Sequence, residues 1–212
     1  AGVSYYKSCV PELMDAGDLR LDEQLSRFMT GLYVHGLAEF AFKNNIRLDS
    51  RVNFPVNHSH ADGSVNLILP ERALVAMGGG KDSLVSLEIL RESGVEVQPI
   101  CVGHSSLIAD TAKAAGFPLL QIERNLSPAL LEMNQAGALN GHVPVTAINS
   151  AILLCAAILY GYRWVVFSNE SSADEATLHD ASGNAVNHQY SKSFEFESDF
   201  RALIHREVSP DI

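Results

Sequence analysis

The chain has 212 residues, 47% of them hydrophobic and 19% charged, with a formal net charge of −10. That is the profile of a soluble globular protein with one well-buried domain, or one domain and an appendage, and it excludes a disordered chain. The acidic balance counts against a nucleic-acid partner, because gripping a long polyanion takes a basic face.

Residues 1–21 carry Pro11, Gly17 and scattered charges and read as loop or short irregular structure. Asp22 then opens a helix in which Leu25, Phe28, Met29, Leu32, Tyr33, Leu37 and Phe40 recur at three and four, closing near Asn44 and Asn45. A stripe of that period is core packing rather than a cofactor box. Residues 46–56 and 65–69 read as two short strands joined by a polar loop holding His58, Ser59, His60, Asp62 and Gly63. His-x-His followed by Asp resembles a metal spacing, but nothing in so polar a loop completes a shell, and solvated histidines are expected. Residues 1–72 are thus read as an N-terminal segment of helix and short strands.

From Ala73 the pattern becomes alternating strand and helix, and residues 73–212 are expected to form an α/β domain on an open parallel sheet. Ala73 to Met77 reads as a buried strand and Ser83 to Leu90 as a helix, with Gly78, Gly79 and Gly80 in the turn between. Three residues without a Cβ let backbone N–H groups converge on an oxyanion at the positive end of the helix. Lys81 adds a mobile positive charge, Asp82 can hold Mg²⁺ on phosphate oxygens, and Ser83 can cap the helix and donate to a phosphate. Spacing excludes two familiar phosphate loops. A Walker A loop needs Ser or Thr after Gly-Lys, where Asp82 stands, and the dinucleotide fingerprint needs a glycine at Ser83.

Strands are expected over residues 95–102 and 119–122, a helix over 107–115 stopped by Gly116, and a short helix over 128–133 before a glycine-rich loop at 135–144. Thr146 or Asn149 starts an apolar helix that Gly161 stops, and residues 163–167 form a further strand released into Ser168, Asn169 and Glu170. Since ligands gather outside the carboxyl ends of parallel strands, the residues after Met77, Val102 and Phe167 should share one rim. Asn169 and Glu170 are candidates there for nucleotide, metal or substrate contacts. The stretch Asn187, His188, Gln189, Tyr190, Ser191, Lys192, Ser193 is rich in donors, acceptors and proton-transfer groups, and a helix follows it. Cys9, Cys101 and Cys155 form no CxxC pair, which suggests neither zinc nor disulfides and fits a reducing cytoplasm. The apolar run 151–160 is too short for a bilayer and the start lacks a basic n-region, so no membrane partner and no signal peptide are expected.

The loop GGGKDS resembles the signature of the PP-loop ATP pyrophosphatases, SGGxDS, with Gly78 where that superfamily usually has Ser. Together with NGHVPVTAINS, FSNESS and VNHQYSKSFEFE, it is similar to the ATP-dependent UDP-N-acetylmuramoyl-L-alanyl-L-glutamate epimerases (MurL), over about residues 73–200. The segment ESSADEAT matches only approximately, and that family's proteins are roughly twice as long.

The resemblance implies a Rossmann-like sheet with helices on both faces, ATP and Mg²⁺ as cofactors, and a UDP-MurNAc-dipeptide whose terminal L-Glu is inverted to D-Glu in peptidoglycan precursor synthesis. It places Gly78, Gly79, Gly80, Lys81, Asp82, Ser83, Ser168 and Asn169 at the nucleotide, and Asp82 with Glu170 at the metal. Lys81 would meet developing pyrophosphate charge. His188, Tyr190 and Lys192 become candidates for proton exchange, with His142 a fourth. His142, Thr146, Asn149, Glu170, Asn187 and Ser191 are candidates for substrate contact. Two other readings stand beside this one: a PP-loop tRNA-modifying ligase or sulfurtransferase, which the acidic balance and lack of paired cysteines disfavour, and an ATP-holding sensor without turnover, which Gly78 favours.

Overall fold

Strands Arg72–Ala76 (β1), Glu96–Val102 (β2), Leu120–Ile122 (β3) and Trp164–Val166 (β4) form one parallel sheet in the order β3-β2-β1-β4. The computed structural model describes residues 2–59, 63–176, 178–179 and 185–212. In chain order its helices are α1 (Gly2–Cys9), α2 (Glu23–Gly36), α3 (Ala38–Lys43), α4 (Lys81–Glu92), α5 (Ser106–Ala114), α6 (Pro128–Gln135), α7 (Val145–Tyr160) and α8 (Phe194–Glu207). A two-stranded antiparallel pair joins Leu178–His179 (β5) to Ala185–Val186 (β6).

Parallel strands covered on both faces need apolar side chains at successive positions, and Ala73, Leu74 and Val75 are all fully buried. The period of two then divides them. Leu74 and Ile100 pack with Leu153, Ala156 and Ala157 of α7. Val75, Met77 and Cys101 face the opposite way, onto Leu87 of α4 with Ile108 of α5 beside it. The expected α/β architecture, an open parallel sheet with helices on both faces, is therefore what the chain adopts. β1 is flanked by β2 on one side and β4 on the other, so strand order reverses at β1.

The chain forms two compact units. One comprises Ala1–Ser64, Leu126–Ala147 and Glu170–Val208, and the other Val65–Asn125, Ile148–Asn169 and Ser209–Ile212. This grouping interleaves the sequence rather than cutting it once near residue 72. In the helical unit, Ala147, Tyr190 and Phe196 form a core joined by Phe28, Leu32 and Phe200. Asp22 fixes this unit twice: it caps α2 by accepting from Leu25 N at 2.8 Å, and it pairs with Arg206 of α8 through contacts of 2.7 and 3.1 Å. Among the described residues no helix is long and apolar enough to cross a membrane.

Several sequence expectations are corrected. Residues 1–21 are not irregular throughout, because α1 occupies Gly2–Cys9. The helix opened by Asp22 breaks at Leu37, which ends α2 and precedes α3. Residues 46–56 and 65–69 are not strands. In the first, the backbone is satisfied by helix side chains instead of a ladder: Phe54 N–H donates to Thr30 Oγ1 at 3.1 Å and Phe54 O accepts from Ser26 Oγ. In the second, Ile68 is 99% exposed, and Pro70 follows without an N–H to pair. Helix α4 starts at Lys81, two residues before the expected Ser83. His60 and Asp62 of the metal-like spacing lie outside the described residues, as do Asp180, Gly183 and Asn184.

Candidate active site

The sheet unit carries the glycine loop at the place where strand order reverses, the position at which open α/β sheets bind ligands. Met77 N–H donates to Ile100 O at 2.8 Å and anchors the loop to β2. Gly79 then takes φ +82°, and a Cβ there would touch Ile108 Cγ1 at 3.4 Å and Leu107 Cδ2 at 3.6 Å; at Gly78 and Gly80 a Cβ would meet nothing within 4 Å. Among the described residues, the N–H groups of Gly78, Gly79 and Gly80 have no hydrogen-bond acceptor. With the first turn of α4 they form an open anion cradle.

Gly80 is the N-cap, so Ser83 is the third residue of α4 and not its cap. Its buried hydroxyl donates to Gly80 O at 3.1 Å, tying the loop to the helix. Lys81 and Asp82 are exposed at the start of the helix. A phosphate with its counter-ion fits these residues: room above Gly78 and Gly80, open N–H groups, one cation and one carboxylate.

The expected rim is present within this unit. Ser168, after β4, shares a 2.8 Å hydrogen bond with Ser86 of α4, and Asn169 beside it is exposed. His104, after β2, meets Glu123, after β3, at 3.2 Å. Sequence inspection singled out neither Ser86 nor that pair. Asn149 is half-buried on α7 in the same unit.

The other predicted residues belong to the helical unit. His142 and His188 meet edge to face, with ring centroids 5.9 Å apart and planes at 88°. Burial lowers the His142 pKa; Glu39 opposes that shift, while His188, Lys192 and Lys43 add to it. Glu39, which the sequence did not flag, pairs with Lys43, and its carboxyl is held below the ordinary value chiefly by that hydrogen bond. Its only local signal was an i,i+4 Glu–Lys pair.

Tyr190 is buried beside His35 and Phe196, with ring centroids at 5.2 and 6.0 Å. Its pKa is pushed up to about 12, first by burial and then by Glu195 and Asp199. A phenol in that state stays protonated at neutral pH and is a weaker acid than an ordinary tyrosine. Lys192 is exposed, its Nζ donating to Gln189 Oε1 at 3.2 Å. Asn187 organises its own turn, donating to Ala173 O at 2.8 Å and accepting from Gln189 N at 2.7 Å. Ser191 is buried, Thr146 half-buried, and Glu170 exposed where it precedes the 3₁₀ turn Ser171–Asp174. Among the described residues, no three His, Cys, Asp or Glu side chains cluster as a preformed metal site.

A glycine loop entering a helix at the switch point of an open parallel sheet defines a doubly wound, Rossmann-like α/β protein with its ligand site on the carboxyl rim. Comparison with known proteins narrows this. The chain belongs to the MurL N-terminal domain family, whose model matches residues 1–212. It is 45% identical over 212 residues to the UDP-N-acetyl-alpha-D-muramoyl-L-alanyl-L-glutamate epimerase of Xanthomonas oryzae pv. oryzae (strain MAFF 311018), covering 100% of this chain and 47% of that protein. It is 40% identical over 205 residues to the protein of the same name from Salinispora tropica (strain ATCC BAA-916 / DSM 44818 / JCM 13857 / NBRC 105044 / CNB-440), covering 96% of this chain and 44% of that one. A third, from Micromonospora sp. (strain ATCC 39149 / NRRL 15099 / SCC 1413), is 40% identical over 213 residues, with 96% and 45% covered. The chain spans about half the length of these curated relatives.

Proposed function

We propose that the protein inverts the terminal L-Glu of UDP-MurNAc-L-Ala-L-Glu to D-Glu in the cytoplasm, using ATP and Mg²⁺. Identity of 45% across the whole chain with a protein of that name supports this reading most. An α-proton beside a free carboxylate is hard to remove, because the resulting carbanion would add charge to an anion. ATP would supply the remedy: a carboxylate oxygen would attack its α-phosphorus as pyrophosphate leaves, removing the carboxylate's charge and leaving an electrophilic carbonyl. Water would cleave the mixed anhydride after inversion to release AMP and the free carboxylate.

Gly78, Gly79 and Gly80 would receive the phosphates on their open N–H groups, and Lys81 would meet the charge that develops on the departing pyrophosphate. Asp82 would hold Mg²⁺ on the phosphate oxygens. Ser83 keeps the loop on its helix, and Ser168 with Asn169 offers polar groups on the rim. His142, with its lowered pKa, is the member of the helical unit most suited to accept a proton at neutral pH. His188, Tyr190 and Lys192 belong to the same unit and are the other candidates for proton exchange.

The test runs the native protein with ATP, Mg²⁺ and UDP-MurNAc-L-Ala-L-Glu in D₂O, following AMP and deuterium at the glutamate α-carbon. Both signals, at matching rates, are expected. AMP without deuterium would remove the epimerase reading, and neither signal despite measured ATP binding would favour a sensor.

A further inference from the structure

From Ala151 to Tyr160, α7 reads AILLCAAILY, ten hydrophobic residues in succession. At about 100° per residue they reach every side of the helix. Leu153, Ala156 and Ala157 are buried against Leu74 and Ile100 of the sheet. Ala151, Cys155 and Leu159 recur at intervals of four on the opposite side and are exposed, Leu159 by 79%. A helix with one face on a core and the other in water carries polar residues on the second. Within the same unit α4 and α5 do so, exposing Lys81, Asp82, Arg91 and Glu92, and Asp110 and Lys113. α7 departs from them, with the composition of a helix that is covered all round.

Two observations indicate what covers it. The family is that of an N-terminal domain, and the chain accounts for 47%, 44% and 45% of the three relatives, each of which carries a further half of comparable length. Ser209–Ile212 return to the sheet unit, where Ser209 is fully buried and its hydroxyl accepts from Leu67 N at 3.4 Å. In a protein of the relatives' length, the polypeptide that follows therefore starts from the unit that carries α7. Tethered docking is intramolecular, so a small seat is occupied without the cost of bringing two molecules together. Separate chains would have to meet that cost. The outer face of about three helical turns falls well short of the roughly 1,200–2,000 Å² that their stable association buries.

We propose that the outer face of α7, formed by Ala151, Cys155 and Leu159, is the seat of the C-terminal half of the full-length protein, which lays an apolar element across it. Ala151 and Cys155 are short enough to let a backbone approach closely, and Leu159 is the side chain that enters the arriving layer. Because α7 and α4 pack on opposite faces of the sheet, the seat is separate from the glycine loop at the start of α4. The inference does not depend on the activity proposed above.

The test uses the native full-length protein with Leu159 replaced by the photoreactive p-benzoylphenylalanine. After irradiation, digestion and mass spectrometry should find position 159 joined to a peptide C-terminal to Ile212, in a product that migrates as a single chain. A product of twice that mass would make a second copy the occupant and overturn the proposal. A crosslink to residues 1–212, or none at all, would overturn it as well. Wild-type protein gives an independent readout, because residues 1–212 hold exposed Cys9 and Cys155 and buried Cys101. In the native protein Cys155 should resist a maleimide as Cys101 does, and react once urea unfolds the chain. Alkylation of Cys155 in the folded protein at the rate seen in urea would overturn the proposal, whether or not the photoreactive variant folds.

Discussion

Replacing Gly79 and Gly78 separately by Ala isolates the backbone demand of the phosphate loop. Both substitutions restrict the unfolded chain equally, so that contribution cancels between them. What remains is conformational. At Gly79 the new side chain must adopt φ +82°, whereas at Gly78 it enters open space at no such φ. The contacts it would gain at Gly79, 3.4 Å to Ile108 and 3.6 Å to Leu107, are ordinary and offset little. A left-handed backbone costs an L-residue about 1–2 kcal/mol, so G79A should be less stable than G78A by that amount. With a urea slope of about 3 kcal/mol per molar, the midpoints should differ by about half a molar. Adding Mg²⁺ and ATP should raise the midpoint of G78A as it does that of wild type, and raise that of G79A less, because the cradle is distorted. Coincident midpoints for the two variants, with and without nucleotide, would refute the reasoning.

Asp82→Ala should abolish AMP formation while leaving stability within about 0.5 kcal/mol, since Asp82 is exposed; unchanged AMP release would remove its metal role. Asp22→Ala should cost about 2 kcal/mol in urea unfolding, from the lost α2 cap and from the loss of one of the two carboxylates that Arg206 pairs with, Glu207 being the other. The Asp22 carboxyl is held below its ordinary value of 3.8, first by the hydrogen bond from Leu25 N and then by Arg206. Its contribution is therefore complete above the unfolded value and lost as pH falls through the lower folded one; D22N should flatten the acid limb of stability against pH. Gly36→Ala would place a Cβ 2.8 Å from Pro144 Cγ and 2.9 Å from Pro144 Cβ. That ring cannot rotate away, so about 1–3 kcal/mol of destabilisation is expected by thermal unfolding.

The sheet unit was legible because its signals are local. Each strand is a short run rich in apolar residues, and Gly116 and Gly161, both at positive φ, mark helix ends where the sequence placed them. The helix over Gly2–Cys9 also carried a signal that Pro11 and the charges around it obscured: Val3, Tyr6, Lys7 and Val10 are buried at spacings of three, one and three. A lysine in that stripe hid it, and its ammonium donates to Asn140, 133 residues away. The false strands at 46–56 and 65–69 had strand-like composition but no neighbour to pair with, which composition does not report. Glu39, His142 and His188 lie on separate segments, so no spacing rule joins them. The glycine loop announced itself in six residues, whereas the imidazole pair exists only after the helical unit has assembled.

The Asp22–Arg206 pair joins residues 184 apart in the chain, and this has a bearing on how the protein is made. On the ribosome, α2 emerges long before the partner of its capping residue has been synthesised. Closing a segment of that length costs about 2 kcal/mol more than closing one of twenty residues. The sheet unit's strands, by contrast, are all translated by Val166. Nascent chains should therefore acquire a protease-resistant sheet while Phe28 and Leu32 still await Phe196 and Phe200. During that interval these apolar side chains are open to a chaperone, and α8 is the segment whose arrival ends the exposure.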